Sequence, residues 1–188
     1  MKKIIIIAAA FIGFTTAAQA QNPNTQNATG SAQQTVQLNL SNALEISFVA
    51  TNGNGSTVTL PFTTVAHYAN GVESTEQELK VRSNKKFNVT VKTSAGNFQF
   101  SNGGTVASSS MPTSVLGIVV SDNNTGGQLG QGFSTSNYKA LSATAQDLIT
   151  NANNGGNQTF SVKYKATPGF AYPAGTYTTD VIYTATQQ

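Results

Sequence analysis

Apolar side chains recur at every second position through much of this chain, and a period of two confines those stretches to strands with one buried face. Leu79 and Val81 alternate in "EQELKVRS", Phe87, Val89 and Val91 in "KFNVTV", and Phe160, Val162 and Tyr164 in "TFSVKY". Upstream, Val36, Leu38, Leu40, Leu44, Ile46 and Phe48 all occupy even positions. That run is long against the usual length of about five or six residues, and Ser41-Asn42 interrupts it. Two strands and one bent strand fit it equally well. "TVTLPF" and "TTVAHY" read as short strands, with Pro61 restricting that region to an edge or a bulge because proline cannot donate to a ladder.

Turn chemistry separates these runs. "TNGNGS" and "NGVEST" break the chain, and "SNKK" joins two strands in what reads as the strongest hairpin. "NFQF" places Phe98 and Phe100 in phase, and "SVLGIVVSD" is another apolar strand. Residues 122–136 form a long glycine-rich loop, and a short helical turn is expected around Ala143–Ile149. A closing strand follows "TPGFAYPAG", with Tyr177, Thr179, Val181 and Tyr183 on one parity. Nine or ten short strands with turns every eight to twelve residues predict an all-β fold, an antiparallel immunoglobulin-like β-sandwich, with a β-barrel as the alternative.

The first twenty residues have a different design. "MKK" is a basic start, "IIIIAAAFIGF" is an apolar stretch too short to span a bilayer, and Ala18-Gln19-Ala20 is a small-x-small cleavage pattern. Residues 1–20 are therefore expected to be a bacterial signal peptide cut before Gln21, placing the protein in the periplasm, at the cell surface or outside the cell. Cleavage removes Lys2 and Lys3, so ten basic residues fall to eight against seven acids, a net charge of about +1. Nucleic-acid binding needs a strong positive field, and that balance argues against it. The chain has no cysteine, so an exported domain of this kind must be held by a hydrophobic core rather than by disulfides. Residues 21–34 contain no large apolar side chain; nothing there offsets the entropy of ordering, and a flexible polar extension is expected before a domain over 35–188.

Sites for chemistry are sparse. His67 sits alone within a predicted strand, and no nucleophile elbow or paired histidine spacing accompanies it. "DNNTGG" from Asp122 departs from a calcium loop at position five, Gly126, and position twelve, Phe133. Lys80, Arg82 and Lys92 fall on an outer parity with Glu76 and Glu78, while Lys85 and Lys86 lie in the turn, so the charges largely offset one another. The N-x-S/T triplets at Asn27, Asn88 and Asn157 match the frequency expected in an Asn- and Thr-rich chain. No enzyme activity, cofactor or metal site is expected, and no catalytic residue is assigned.

"VRSNKKFNVTV" resembles the strand–SN–strand hairpin of fimbrial-type domains. "PAGTYTTDVIYTA" is similar to the terminal strand of spore-coat-U-type domains and chaperone–usher pilins, matched at Gly175, Tyr177, Asp180, Val181 and Tyr183. The resemblance implies an incomplete sandwich with an edge strand at Tyr177, Thr179, Val181 and Tyr183, completed by a strand from a periplasmic chaperone or a neighbouring subunit. In this chain the candidate donor strand is Val36, Leu38 and Leu40, with Leu44–Phe48 serving as the domain's first strand. If both runs belong to one closed sandwich, the protein is instead a self-sufficient monomer. Two functions follow. The first is a secreted, non-enzymatic structural or adhesive subunit of a surface coat or pilus, assembling by β-strand addition. The alternative is a monomeric module binding carbohydrate or cell wall, with Tyr68, Tyr138 and Tyr172 as aromatic platforms.

Overall fold

The computed structural model describes residues 30–50, 55, 57–102 and 110–188. The expected signal peptide, its cleavage point, residues 21–29 with Asn27, and most of the turn at 51–56 lie outside the described residues. Residues 30–39 carry no strand and are exposed, with Gln37 Nε2 donating to Asn39 Oδ1 at 3.0 Å. The β unit is a separate body spanning Leu40–Gln188.

That unit is an antiparallel β-sandwich, and neither main sheet closes into a barrel. One sheet holds β1 (Leu44–Phe48), β3 (Gln77–Ser83), β10 (Gly155–Ala166), β6 (Leu116–Asn123) and β8 (Lys139–Ala140) in that order, with β2 (Val72–Glu73) paired to β10. The other runs β12 (Val181–Gln187), β4 (Phe87–Thr93), β9 (Gln146–Ala152), β7 (Gln128–Leu129). A ribbon of β5 (Gln99–Ser101) and β11 (Thr176–Thr178) completes the strands. The inward residues read from the alternation form the core: Leu79, Val81, Phe87, Val89, Val91, Phe160 and Val162 are all essentially inaccessible. Fully burying a large aliphatic or phenylalanine side chain is worth roughly 1.5–3 kcal/mol, so this layer replaces the covalent staples that the chain lacks.

Several expectations are corrected. The "SNKK" segment is not a hydrogen-bonded hairpin. β3 pairs with β1 and β10, whereas β4 pairs with β12 and β9, so the chain crosses from one sheet to the other. Inward parity on both strands satisfies either arrangement, because the two sheets bury toward one core from opposite sides. Lys80 and Arg82 consequently lie on a different sheet from Lys92, and no shared basic face forms. Arg82 instead pairs with Glu45 at 3.2 Å, and Ser121 donates to Glu76 at 2.8 Å, which with Ser161 holds that carboxyl below its ordinary range.

Residues 57–63 form no strand, and Val65–Asn70 is a helix, α1, so His67 is helical. Thr64 caps it, its backbone extended and its side chain accepting from His67 N, and Gly71 ends it at φ +81°. The predicted helical turn near 143–149 is strand β9. A register shift between Val89–Ile149 and Thr90–Asp147 breaks the period, leaving both Leu148 and Ile149 buried. Val36, Leu38 and Leu40 form no buried strand face; they are 77%, 79% and 90% exposed. The glycine-rich loop contains β7, and the Asp122 loop is closed by its own bonds, with Asn124 Nδ2 on Asp122 Oδ2 and both Thr125 N and Oγ1 on Asn123 Oδ1.

Candidate assembly edge

The lateral margins of the sandwich are unequal. At one margin the sheets end in β8 and β7, two residues each, and short edge strands are poor templates for further pairing. At the other they end in β1 and β12, five and seven residues long. β1 and β12 meet there: the Phe48 and Tyr183 rings pack edge-on at 6.0 Å, and Gln187 Nε2 donates to Ala43 O at 2.8 Å.

The phase of each ladder determines which backbone groups point outward. Ser94 N donates to Asp180 O and Gln188 N to Lys86 O, in line with the β12–β4 register. Even-numbered residues of β12 therefore bond to β4, and Val181, Tyr183, Ala185 and Gln187 direct their N–H and C=O groups to the open side. Likewise, Val49 N bonds to Glu78 O and Asn84 N to Ala43 O, so Leu44, Ile46 and Phe48 direct theirs away from β3. Ile46, Phe48, Val181, Tyr183 and Ala185 also pack against the core. The seam thus combines open main-chain groups with half-buried apolar side chains. β12, "VIYTATQ", has neither charge nor proline to discourage pairing.

The four predicted edge residues divide. Val181 and Tyr183 belong to β12. Tyr177 lies in β11 opposite Phe100, and Thr179 falls in the break between the two strands. Tyr183 also ties the sheets together, its hydroxyl 2.6 Å from that of Tyr164 on β10. Burial pushes Tyr164 up to about 12, and burial together with its partner raises Tyr183 as well. The Gln187 clasp, which also reaches Ser83 Oγ and Asn84 Oδ1, was invisible in the sequence because its partners lie about a hundred residues away.

The predicted aromatic platforms are engaged locally. Tyr68 stacks with Phe170 and meets Phe62 edge-on, Tyr172 packs against Tyr177, and Tyr138 sits beside Lys165. His67 Nδ1 accepts from Thr63 N at 3.1 Å, which occupies that ring nitrogen in a local turn. Among the described residues, no three His, Cys, Asp or Glu side chains gather as a metal site, and no helix is long and apolar enough to cross a membrane.

No protein-family model matches the chain, and no curated protein matches it. A family 123 glycoside hydrolase from Clostridium perfringens, studied for glycolipid glycan hydrolysis, is similar over 77% of this chain and 25% of its own, at 13% identity and a TM-score of 0.34. The chain spans a quarter of that hydrolase's length. A likeness that shallow assigns neither a family nor an activity.

Proposed function

We propose that this protein is a secreted, non-enzymatic structural or adhesive subunit of a surface coat or pilus that assembles by β-strand addition at the β1/β12 seam. The observation that carries the reading is the unequal pair of margins. Two long edges stand side by side, and on each the residues facing the core turn their main-chain groups outward. An incoming strand would gain main-chain hydrogen bonds from an edge and apolar contacts from the cleft at once.

Val36, Leu38 and Leu40 supply the chemistry of such a strand. They alternate at the strand period and are exposed, so the same segment of a neighbouring copy is the donor in this reading, with a periplasmic chaperone holding the edge beforehand. The test is size-exclusion chromatography of the exported protein with and without residues 21–40, beside a V36S/L38S/L40S variant. Oligomers that disappear in both altered forms support the proposal. Assembly that proceeds unchanged in both removes the donor role, and a wild-type chain that stays monomeric at every concentration removes self-assembly.

A further inference from the structure

We infer that the surface running from the Phe62–Tyr68–Phe170 rings to the cleft beside Tyr138 and Lys165 binds an oligosaccharide. Two stretches of chain build it. β2 and the end of β10 pair Val72 with Ala166 and Glu73 with Lys165. Just beyond that pairing, α1 sets Tyr68 against Phe170 of the turn after β10, their rings 5.5 Å apart and 22° from parallel. Phe62 supports Tyr68 edge-on at 5.4 Å. Phe170 nevertheless remains 68% exposed, so it rests on Tyr68 while still offering apolar ring surface to a ligand.

Between platform and cleft lies Gly71. A Cβ there would meet Ala166 O at 2.6 Å and Thr167 Cγ2 at 2.7 Å, and φ is +81°. Only glycine fits there, and it lets α1 and the platform pack directly against the end of β10 and the Thr167 and Lys165 side chains. Beyond it, a cleft of about 190 Å³ is lined by Ser114, Gly117, Tyr138, Lys165 and Thr167, among others. Tyr138 packs closely over Gly117, where a Cβ would approach its own Cβ to 2.9 Å. Burial, with the nearby Glu73 carboxylate, pushes its hydroxyl well above the ordinary tyrosine range, and Lys165 Nζ stands 5.9 Å from the ring centre. Lys165 forms no ion pair among the described residues. From Lys165 to Phe170 the chain covers five steps, at most ~17 Å.

This division suits a sugar chain. A pyranose has an apolar C–H face for the aromatic platform and a hydroxyl rim for the ammonium and hydroxyls of the cleft. Helix α1 and residues 167–175 contain no Lys, Arg, Asp or Glu, so the charged contacts available to a ligand lie at the cleft end. A stable protein partner would bury about 800 Å² of surface on each side, with an apolar centre. Of the large apolar side chains here, only Val65 and Phe170 are freely exposed.

The site shares no residue with the β1/β12 seam and is tested separately. The full chain is screened on an array of neutral and uronic-acid oligosaccharides, and the strongest ligand is titrated calorimetrically against wild type, Phe170→Ala and Lys165→Ala. Binding that weakens at least about tenfold in Phe170→Ala and several-fold in Lys165→Ala is expected, with melting temperature and oligomeric state unchanged. Absence of binding across the array, or a hit whose affinity neither substitution alters, overturns the inference.

Discussion

Replacing Tyr183 with phenylalanine isolates the bond that ties the exposed margin to the opposite sheet. The Tyr164 and Tyr183 hydroxyls are 2.6 Å apart, and Tyr164 is 6% exposed. Y183F leaves the Tyr164 hydroxyl without that partner in a buried setting, at a cost of about 1–3 kcal/mol. In a domain of this size each kcal/mol corresponds to roughly 2–4 °C in Tm, so a fall of about 2–12 °C is expected. The double variant Y164F/Y183F removes both polar groups and should recover most of that loss. Alkaline titration supplies an independent readout. An unfolded tyrosine titrates near about 10, whereas Tyr164 in the fold is held to about 12. Between these values the unfolded chain gives up the proton first. The stability is fully present below pH ~10 and is lost as the pH rises toward 12, by on the order of 3 kcal/mol for Tyr164. Urea melts of wild type, both single variants and the double at pH 7 and through pH 10–12 give the coupling energy. A coupling below about 0.5 kcal/mol, or the same alkaline loss in the double variant, refutes the reasoning.

Two further substitutions probe the frame. Gly130→Ala would place a methyl group against the Asp147 carbonyl of β9, and differential scanning calorimetry should show a loss of about 1–3 kcal/mol, as expected when a packed site is overfilled. Thr64→Ala removes the acceptor that caps α1 at His67 N and should cost about 1 kcal/mol; faster amide exchange confined to Val65–Asn70 would locate that loss.

The core was legible because burial imposes a period of two on any strand with one dry face. Leu79, Val81, Phe87, Val89, Val91, Phe160 and Val162 could be named from spacing alone. Spacing failed where local geometry departs from the ladder. The bulge in β9 buries two consecutive residues, which imitates a helix, and the six residues of α1 are too few to declare a helical period. Capping by Thr64 and Gly71 was the signal that could have found α1.

The sequence by itself determined that the chain is β-rich, which side of most strands is buried, and that no disulfide supports them, since each follows from side-chain chemistry along the chain. Only the tertiary structure decided which strands pair. An inward parity is the same whether a strand's neighbour lies in its own sheet or across the core. The crossing at "SNKK", the short β7 and β8 margin against the long β1 and β12 margin, and the meeting of Tyr68 with Phe170 depend on contacts between residues far apart in the chain, and no local pattern encodes them.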